Sequence, residues 1–381
     1  MTVNADPDAT VVAVVLAGGT GSRLYPASRS DRPKQFLPLL GEPSLLERTV
    51  SRARAVADSV VVLTRESYAA GVRERVPDAT VLVEPAGRDT GPALLYATHR
   101  IGRAYADPVV VALPSDHLVG EGFAPAVRRG VAVAAATDRL VTFGVEPTRP
   151  ETGYGYVEAA APAGDAGRTD ADPEWYPVAS FHEKPDADAA ESYVAAGHYW
   201  NAGLFAWRPD AFLAAADAPP LAPLVDALRS GGDPSVSRSD DGSGADGSAH
   251  DHEALRADDH PSVRAAFEAV EPVSVDHAVL ESAADVAVVP ASFEWDDVGS
   301  WDSLDRVLDA DSEGNVATDG VTLRTVDAAD NVVAADDAHV SLVGVSDLAV
   351  VAWDDRVLVV PSDRAQDVKR LVRALEERGE F

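Results

Sequence analysis

Near the start of the chain, three glycines followed by two basic residues could bind a polyphosphate. Gly18, Gly19 and Gly21 lie close together, and Arg23 and Lys34 follow them. Glycines let backbone N–H groups turn together toward an anion, and the two side chains add positive charge. The pattern lacks the Gly-Lys-Ser/Thr ending of a P-loop and the third glycine of the dinucleotide fingerprint. It predicts a phosphate-binding loop of another kind; the alternative is an ordinary glycine turn.

Two carboxylates could hold a divalent cation. Asp116 follows the apolar run 109–113, and Asp297 lies in a turn flanked by glycine and tryptophan. A carboxylate at the carboxyl end of a parallel strand stands where α/β sheets bind ligands. Carboxylate oxygens, completed by phosphate oxygens and water, are ligands that suit Mg²⁺. The alternative for Asp116 is a helix cap or a surface loop, and for Asp297 the spacing alone is weaker support.

Lys184 and Asn201 are candidates for binding a phosphorylated, hydroxyl-rich ligand. Lys184 is one of only three lysines, with Lys34 and Lys369, in a chain that otherwise uses arginine. A lysine kept in this setting indicates a compact charge for one phosphate, although a surface position without function is the alternative. Asn201 offers an amide beside Trp200, yet composition alone favours a packed core there. His99, His182 and His277 show no Ser-His-Asp spacing.

The composition describes an acidic globular protein. The 381 residues are 46% hydrophobic and carry a formal net charge of −31, spread along the chain. Such a surface suits molar salt, where the Debye length shrinks to about 3 Å, so we expect a halophilic protein; an acidic partner-binding surface is the alternative. The charge argues against nucleic acid as a partner. The absence of cysteine excludes disulfides and thiolate metal sites. With neither a signal-peptide pattern nor a membrane-length apolar run, we expect a cytoplasmic protein with no membrane partner.

The first three hundred residues alternate strand-like with helix-like segments. This alternation predicts right-handed βαβ units and a mostly parallel, Rossmann-like sheet. A capping box at Ser44 and Glu47 predicts the start of a helix. The predicted strands are 11–16, 59–63, 80–83, 109–113, 140–143, 178–181 and 286–290, and the predicted helices are 67–75, 92–105, 125–137 and 187–196.

The remaining chain changes character after residue 311. Short β-rich runs follow one another without helices, at 320–326, 331–335, 339–344, 348–352 and 357–360, and a helix is predicted over 362–378 under a Ser362 or Asp363 cap. We therefore predict a catalytic domain at 1–310 and a small β-rich domain at 311–381. Within the first, the polar residues at about 230–260 predict a flexible insertion; a solvated loop is favoured there over metal binding by its histidines, which are His250, His252 and His260.

In their order along the chain, these motifs resemble the sugar nucleotidyltransferases, and most closely the mannose-1-phosphate guanylyltransferase family. The resemblance covers nearly the whole chain and rests on residues 18–24, 33–36, 84–93, 114–117, 150–156, 181–185, 200–205 and 295–301. It implies a GT-A-like nucleotidyltransferase domain followed by a β-helix-like domain with a closing helix. It further implies transfer of a nucleotidyl group from GTP to mannose 1-phosphate, with Mg²⁺ as cofactor. For the β-rich part it suggests a role in forming a homodimer.

The resemblance also implies site residues. Gly18, Gly19 and Gly21 would cradle the triphosphate, Arg23 would steady the β and γ phosphates, and Lys34 would neutralise charge near the α-phosphate. Asp116 and Asp297 would hold Mg²⁺. The sugar phosphate would be bound by Gly153, Glu183, Lys184 and Asn201, and the nucleotide by Leu16, Ala17, Gly18, Gly19, Gly21, Ser22, Arg23, Arg88, Ser115 and Asp116.

Two positions depart from the family pattern and keep other activities open. The family usually has Trp where Tyr25 stands, whereas glucose-1-phosphate thymidylyltransferases often have Tyr there. Asp89 replaces a neutral amide in a segment that lies near the nucleotide in the family. The first alternative is therefore a glucose-1-phosphate thymidylyl- or uridylyltransferase, and the second is a non-catalytic nucleotide-sugar-binding regulator.

Overall fold

The computed structural model describes residues 9–160, 175–231, 255 and 261–381. The insertion predicted at about 230–260 lies outside the described residues, apart from 230, 231 and 255, and so do its three histidines. The chain forms two compact units. The larger one comprises Met1–Leu16, Val50–Pro114 and Gly120–Phe293, and the smaller one comprises Ala17–Thr49, Ser115–Val119 and Glu294–Phe381.

A nine-stranded sheet forms the centre of the larger unit. Its strands lie in the order β3-β2-β1-β4-β9-β6-β10-β8-β7. The strands are β1 (Val11–Leu16), β2 (Ser59–Thr64), β3 (Thr80–Val83), β4 (Val109–Pro114), β6 (Leu140–Val145), β7 (Gly155–Ala159), β8 (Tyr176–Glu183), β9 (Tyr199–Trp207) and β10 (Val286–Ala291). The sequence pattern predicted all of these except β7 and β9.

Most strands of this sheet point the same way, which confirms the predicted fold class. β1 pairs in parallel with β2 and β4, and β2 with β3, while β6 pairs in parallel with β10. Only β8 and β9 run against the others within the described part of the sheet. Strand β9 escaped prediction because it contains no β-branched residue and is interrupted by Asn201 and Gly203.

Helices cover the sheet and bury its apolar side chains. They are α2 (Glu66–Arg75), α3 (Thr90–Ala104), α4 (Phe123–Thr137), α5 (Ala187–Ala195), α6 (Pro209–Ala215), α7 (Ala222–Ser230) and α8 (Pro261–Ala269). Val12, Val14 and Val110 share one buried cluster with Leu94 of α3. None of the described helices is long and apolar enough to cross a membrane.

The smaller unit is β-rich. Its strands are β5 (Leu118–Val119), β11 (Trp295–Asp296), β12 (Val316–Ala317), β13 (Thr322–Val326), β14 (Val332–Ala335), β15 (His339–Val343), β16 (Leu348–Trp353) and β17 (Arg356–Pro361). Successive turns of chain stack in parallel, since β12 pairs with β14, β14 with β16, and β13 with β15. This is the β-helix-like arrangement that the resemblance implied.

Two helices show where local prediction held and where it failed. Helix α1 (Leu45–Arg54) follows the predicted capping box, in which the backbone N–H of Ser44 donates to the Glu47 carboxylate at 3.0 Å. The closing helix α9 covers Val368–Glu376, so the predicted start at Ser362 or Asp363 is wrong. Residues Ser362–Asp367 instead form a 3₁₀ turn with no side-chain cap.

Candidate functional site

The glycine loop packs against the segment that carries Lys34. Gly21 has a φ of +71° and precedes a 3₁₀ turn at Ser22–Leu24. The backbone N–H of Lys34 donates to the carbonyl of Thr20 at 3.0 Å. A Cβ placed on Gly21 would stand 2.3 Å from the Cβ of Lys34, and left-handed backbone also disfavours a side chain. Only glycine fits at position 21.

Lys34 joins three distant parts of the smaller unit. Its side chain is 4% exposed. The ammonium donates to the Asp116 carboxylate at 2.8 Å and to the backbone carbonyl of Asp297 at 2.5 Å. The structure therefore brings together three residues that the sequence selected separately, and we call this set the Lys34 cluster.

The ion pair sets the ionisation of Asp116. Burial alone raises the pKa of this carboxyl group, but the charge of Lys34 and the hydrogen bond that it donates outweigh burial and hold the pKa below its usual range. Asp116 is therefore an anion at neutral pH. A carboxyl group binds a divalent cation in this ionised form.

His117 is a neighbour of the Lys34 cluster that sequence reasoning missed. The indole N–H of Trp295 donates to its Nδ1 at 3.2 Å, and the two rings meet edge to face at 5.4 Å. Burial lowers the pKa of this histidine despite the nearby carboxylates of Asp116 and Asp297. The imidazole is thus neutral and accepts at Nδ1. Its position directly after Asp116 was the only available signal.

The Asp296–Asp297 pair divides into two roles. The Asp296 carboxylate is buried and accepts two hydrogen bonds from the Arg306 guanidinium, at 2.7 and 3.1 Å. The Asp297 carboxylate accepts from the backbone N–H of Gly299 at 3.1 Å. Between them and Gly299, Val298 has a φ of +45°, which is strained for a β-branched residue. Asp296 fixes this turn, and Asp297 lies in the Lys34 cluster.

The chemistry of the donors near Lys34 fits a hard cation. The Asp116 carboxylate and the Asp297 backbone carbonyl meet at the Lys34 ammonium, and the Asp297 carboxylate lies near enough to His117 to act on its protonation. Oxygen is the ligand atom that Mg²⁺ prefers. Among the described residues, no group of three or more His, Cys, Asp or Glu side chains is arranged around a metal position. A cation here would therefore complete its coordination with phosphate oxygens and water, the usual arrangement for Mg²⁺ at nucleotide sites.

Arg23 differs from Lys34 in its exposure. It lies in the 3₁₀ turn after Gly21 and is half-buried, while the next residue, Leu24, is fully buried. No described carboxylate forms an ion pair with its guanidinium. Leu24 anchors the turn, so Arg23 keeps its charge available for an anion.

Three further residues that were predicted to contact the nucleotide are Leu16, Ala17 and Ser115. Leu16 is the last residue of β1, and Ala17 follows it with a carbonyl that accepts from the Gln35 amide at 2.9 Å. Ser115 is buried, and its carbonyl accepts from the Thr49 hydroxyl at 3.3 Å. These contacts hold the backbone on both sides of the predicted phosphate-binding residues.

In the larger unit, Glu183 and Lys184 form an ion pair at the end of β8. The Glu183 side chain is 8% exposed and that of Lys184 is 59% exposed. Lys184 has a φ of +47°, and its backbone N–H donates to the carbonyl of Tyr154 at 3.2 Å. The backbone N–H of Gly153 donates to the Glu151 carboxylate at 3.0 Å. The N–H of Gly153 is thus engaged within the protein.

Asn201 lies on β9 in a group of polar side chains. Its Oδ1 accepts from the Thr142 hydroxyl at 2.8 Å, and its Nδ2 donates to the Asp276 carboxylate at 2.9 Å. Burial, together with the negative charge of Glu183, raises the pKa of Asp276 to about 7 against the opposing effects of Lys184 and Asn201. We call Thr142, Glu183, Lys184, Asn201 and Asp276 the Asn201 cluster. Sequence reasoning missed Asp276 because one aspartate among 63 acidic residues carries no signal.

Arg88 and Asp89 lie in a loop at the start of α3. Asp89 has a φ of +69° and caps the helix by accepting from the Thr90 N–H at 2.7 Å. The Arg88 guanidinium donates to the carbonyl of Glu268. Burial raises the pKa of Glu84, at the start of this loop, to about 7 in spite of Arg65 nearby. These hydrogen bonds hold the loop at Arg88 and Asp89, and Asp89 serves as the N-cap of α3.

Comparison with known proteins agrees with this arrangement. The family model described as Nucleotidyl transferase matches residues 12–314, and one described as a MannoseP isomerase/GMP-like beta-helix domain matches residues 324–375. The xanthan biosynthesis protein XanB of Xanthomonas campestris is 36% identical over 97% of this chain and 74% of its own length. A mannose-1-phosphate guanylyltransferase of Escherichia coli is 36% identical over 96% of this chain and 73% of its own.

A solved structure gives the same result. The crystal structure of a Thermus thermophilus protein, described as a mannose-1-phosphate geranyltransferase, is 32% identical and superposes with a TM-score of 0.81. The match covers 96% of this chain and 99% of the other. These likenesses confirm the family that the motifs resembled. The chain belongs to the mannose-1-phosphate guanylyltransferase family of nucleotidyl transferases and is a sugar-phosphate nucleotidyltransferase.

Proposed function

We propose that this enzyme transfers a guanylyl group from GTP to mannose 1-phosphate and releases pyrophosphate. A phosphate oxygen of mannose 1-phosphate attacks the α-phosphorus of GTP, and the bond from that phosphorus to the β-phosphate bridging oxygen breaks. The products are GDP-mannose and pyrophosphate. The observation that carries the proposal is the Lys34 cluster, in which an ammonium and two aspartate residues meet beside a glycine loop, in a chain whose relatives include named mannose-1-phosphate guanylyltransferases.

The attacking group needs no protein base. A phosphate monoester is already anionic at neutral pH, so catalysis depends on position and on charge neutralisation. We assign Lys34 to the α-phosphate and Arg23 to the β and γ phosphates. Gly18, Gly19 and Gly21 contribute backbone N–H groups, because they leave no Cβ between the backbone and an anion.

We also propose Mg²⁺ as the cofactor, with Asp116 and Asp297 as its protein ligands. When bound, the cation neutralises phosphate charge and polarises the bond to the leaving group. The depressed pKa of Asp116 supports this role, because the carboxylate stays ionised throughout the neutral range.

We assign the sugar phosphate to residues of the larger unit. Lys184 has an exposed ammonium for the phosphate. Glu183, Asn201 and the carbonyl of Gly153 receive sugar hydroxyls. The nucleotide contacts assigned to Leu16, Ala17, Ser22, Arg88 and Ser115 complete the proposal.

The decisive experiment is a substrate panel. Nucleoside triphosphates are tested against mannose, glucose and glucosamine 1-phosphates in molar KCl with Mg²⁺, and pyrophosphate release is measured. We expect the highest kcat/KM with GTP and mannose 1-phosphate. A preference for dTTP or UTP with glucose 1-phosphate would replace this function by the thymidylyl- or uridylyltransferase alternative. Binding of GDP-mannose without any turnover would favour the regulator.

Further properties belong to the same proposal. The acidic surface supports a halophilic, cytoplasmic enzyme that binds neither nucleic acid nor membrane. We propose a functional division of the sequence into a catalytic domain at 1–310 and a β-rich domain at 311–381. We propose a homodimer formed through the β-rich part, and a monomeric mass by sedimentation in molar KCl would exclude it.

A further inference from the structure

The hydrogen-bonding capacity of Asn201 is almost fully used. A side-chain amide has an oxygen with two lone pairs and a nitrogen with two N–H groups. The oxygen accepts from the Thr142 hydroxyl at 2.8 Å and from the Gly203 backbone N–H at 3.1 Å. One N–H donates to the Asp276 carboxylate at 2.9 Å. Among the residues described by the structure, none takes the second N–H.

The backbone around Asn201 is irregular. On β6, Thr142 pairs with Phe205 whereas Gly144 pairs with Asn201, so β9 has extra residues between these pairs. Gly203 within this bulge has a φ of +67°. Bulges re-aim side chains and are frequent beside functional sites. The amide is therefore oriented by its polar partners and not by a regular strand alone.

We propose that Asp276 is a positioning residue for sugar recognition, which holds the Asn201 amide so that it presents an N–H donor to a hydroxyl oxygen of the sugar phosphate. This inference rests on the proposed function and adds a residue to the same site. Glu183, in the same cluster, has a carboxylate that can accept a hydrogen bond from a sugar hydroxyl. A sugar hydroxyl both donates and accepts, so this donor and this acceptor match its two requirements.

The variants separate positioning from a general structural role. Asp276→Ala removes the acceptor and is expected to raise the KM for the sugar phosphate about tenfold, the effect of about one hydrogen bond. The KM for the nucleoside triphosphate is expected to stay within about twofold. Asp276→Asn keeps an acceptor oxygen at the same place and is expected to restore the KM for the sugar phosphate.

Two controls complete the design. The double variant Asn201→Ala with Asp276→Ala is expected to equal Asn201→Ala alone, since Asp276 acts through Asn201. Glu281→Gln changes a carboxylate in the same segment that contacts His277, and it is expected to leave both KM values unchanged. If Asp276→Ala fails to fold, Asp276→Ser is used, because its side chain is too short to reach Asn201.

The experiment also distinguishes this inference from the proposed function. Wild-type binding of mannose, glucose and glucosamine 1-phosphates is first measured by calorimetry, and the variants are compared on the tightest ligand. Tightest binding of glucose 1-phosphate would overturn the proposed substrate while the comparison at Asp276 proceeds. The inference itself is overturned if Asp276→Ala leaves sugar-phosphate affinity unchanged or weakens both substrates equally. It is also overturned if Asp276→Asn does not rescue, or if the double variant is additive. Binding of none of the sugar phosphates would overturn both.

Discussion

Replacing Lys34 with methionine tests the Lys34 cluster without any substrate. Methionine keeps most of the side-chain volume but removes the ammonium that pairs with Asp116 at 2.8 Å and with the Asp297 carbonyl at 2.5 Å. Removing one partner of a fully buried ion pair costs about 3–5 kcal/mol. Here the Asp116 side chain is 32% exposed, so water screens part of the loss. We expect the free energy of unfolding to fall by about 2 kcal/mol at pH 7.

The assay is urea unfolding at constant KCl, with Lys369→Met as the matched control. Lys369 is exposed on α9, so its replacement is expected to change the free energy of unfolding by less than about 0.5 kcal/mol.

The difference in the free energy of unfolding between Lys34→Met and the wild type has a predictable pH dependence. The pKa of Asp116 is lowered in the folded wild type, so its contribution to stability is present above the unfolded pKa and is lost as pH falls through the folded pKa.

The deficit of Lys34→Met reflects the two folded states, so it is expected to shrink as pH falls from the pKa that burial raises in the variant to the lowered pKa of Asp116 in the wild type. Two results would refute this reasoning. One is a loss at pH 7 no larger than that of Lys369→Met. The other is a deficit that stays constant as the pH falls from 7 to about 3.

Three other predictions concern catalysis, protonation and salt. Arg23→Ala is expected to lower kcat/KM about a hundredfold, because a charge-assisted contact to a developing charge contributes about 3 kcal/mol; near-normal pyrophosphate release would reject its assigned role. Because the Arg23 side chain is only half-buried, Arg23→Ala is expected to lose little free energy of unfolding. Because burial raises the folded pKa of Asp276 to about 7, the wild type is expected to lose stability relative to Asp276→Asn as pH rises from about 4 to about 7; parallel stability profiles would contradict this. Finally, with a net charge of −31, the melting temperature is expected to rise between about 0.1 and 2 M KCl, since screening reduces self-repulsion; a melting temperature that ignores salt would argue against a halophilic protein.

Local sequence patterns were enough to predict most of the α/β sheet and the start of α1. Runs of β-branched residues closed by glycine or proline gave β1 and β4 with their bounds almost unchanged. These predictions succeeded because buried parallel strands need continuous apolar side chains. Strand β9 contains no β-branched residue and includes Asn201 and Gly203, so this pattern did not reveal it.

The candidate site was predictable only where a residue type was unusual for this chain. Lys34 and Lys184 stand out among arginines, and Asp116 stands out by following a strand. Asp276 and Glu84 were missed, since their distinctive pKa values come from burial that only the folded chain creates.

The prediction of a helix start at Ser362 failed for a similar reason. The residue types suit a cap, but the chain forms a 3₁₀ turn over 362–367, a distinction of backbone geometry that residue type does not encode.

The left-handed backbone at Val298 has a consequence for the order of folding. A β-branched residue at a φ of +45° costs about 1–3 kcal/mol locally, which the hydrogen bond from the Val298 N–H to the Asp296 carboxylate, worth about 1 kcal/mol, offsets in part. The compensation comes from burial, since Val298 is fully covered in a cluster with Trp301 and Leu304. We therefore expect the turn that carries Asp297 to form only once that core has closed around it. Amide hydrogen at Gly299 should then exchange with solvent only when the surrounding core opens.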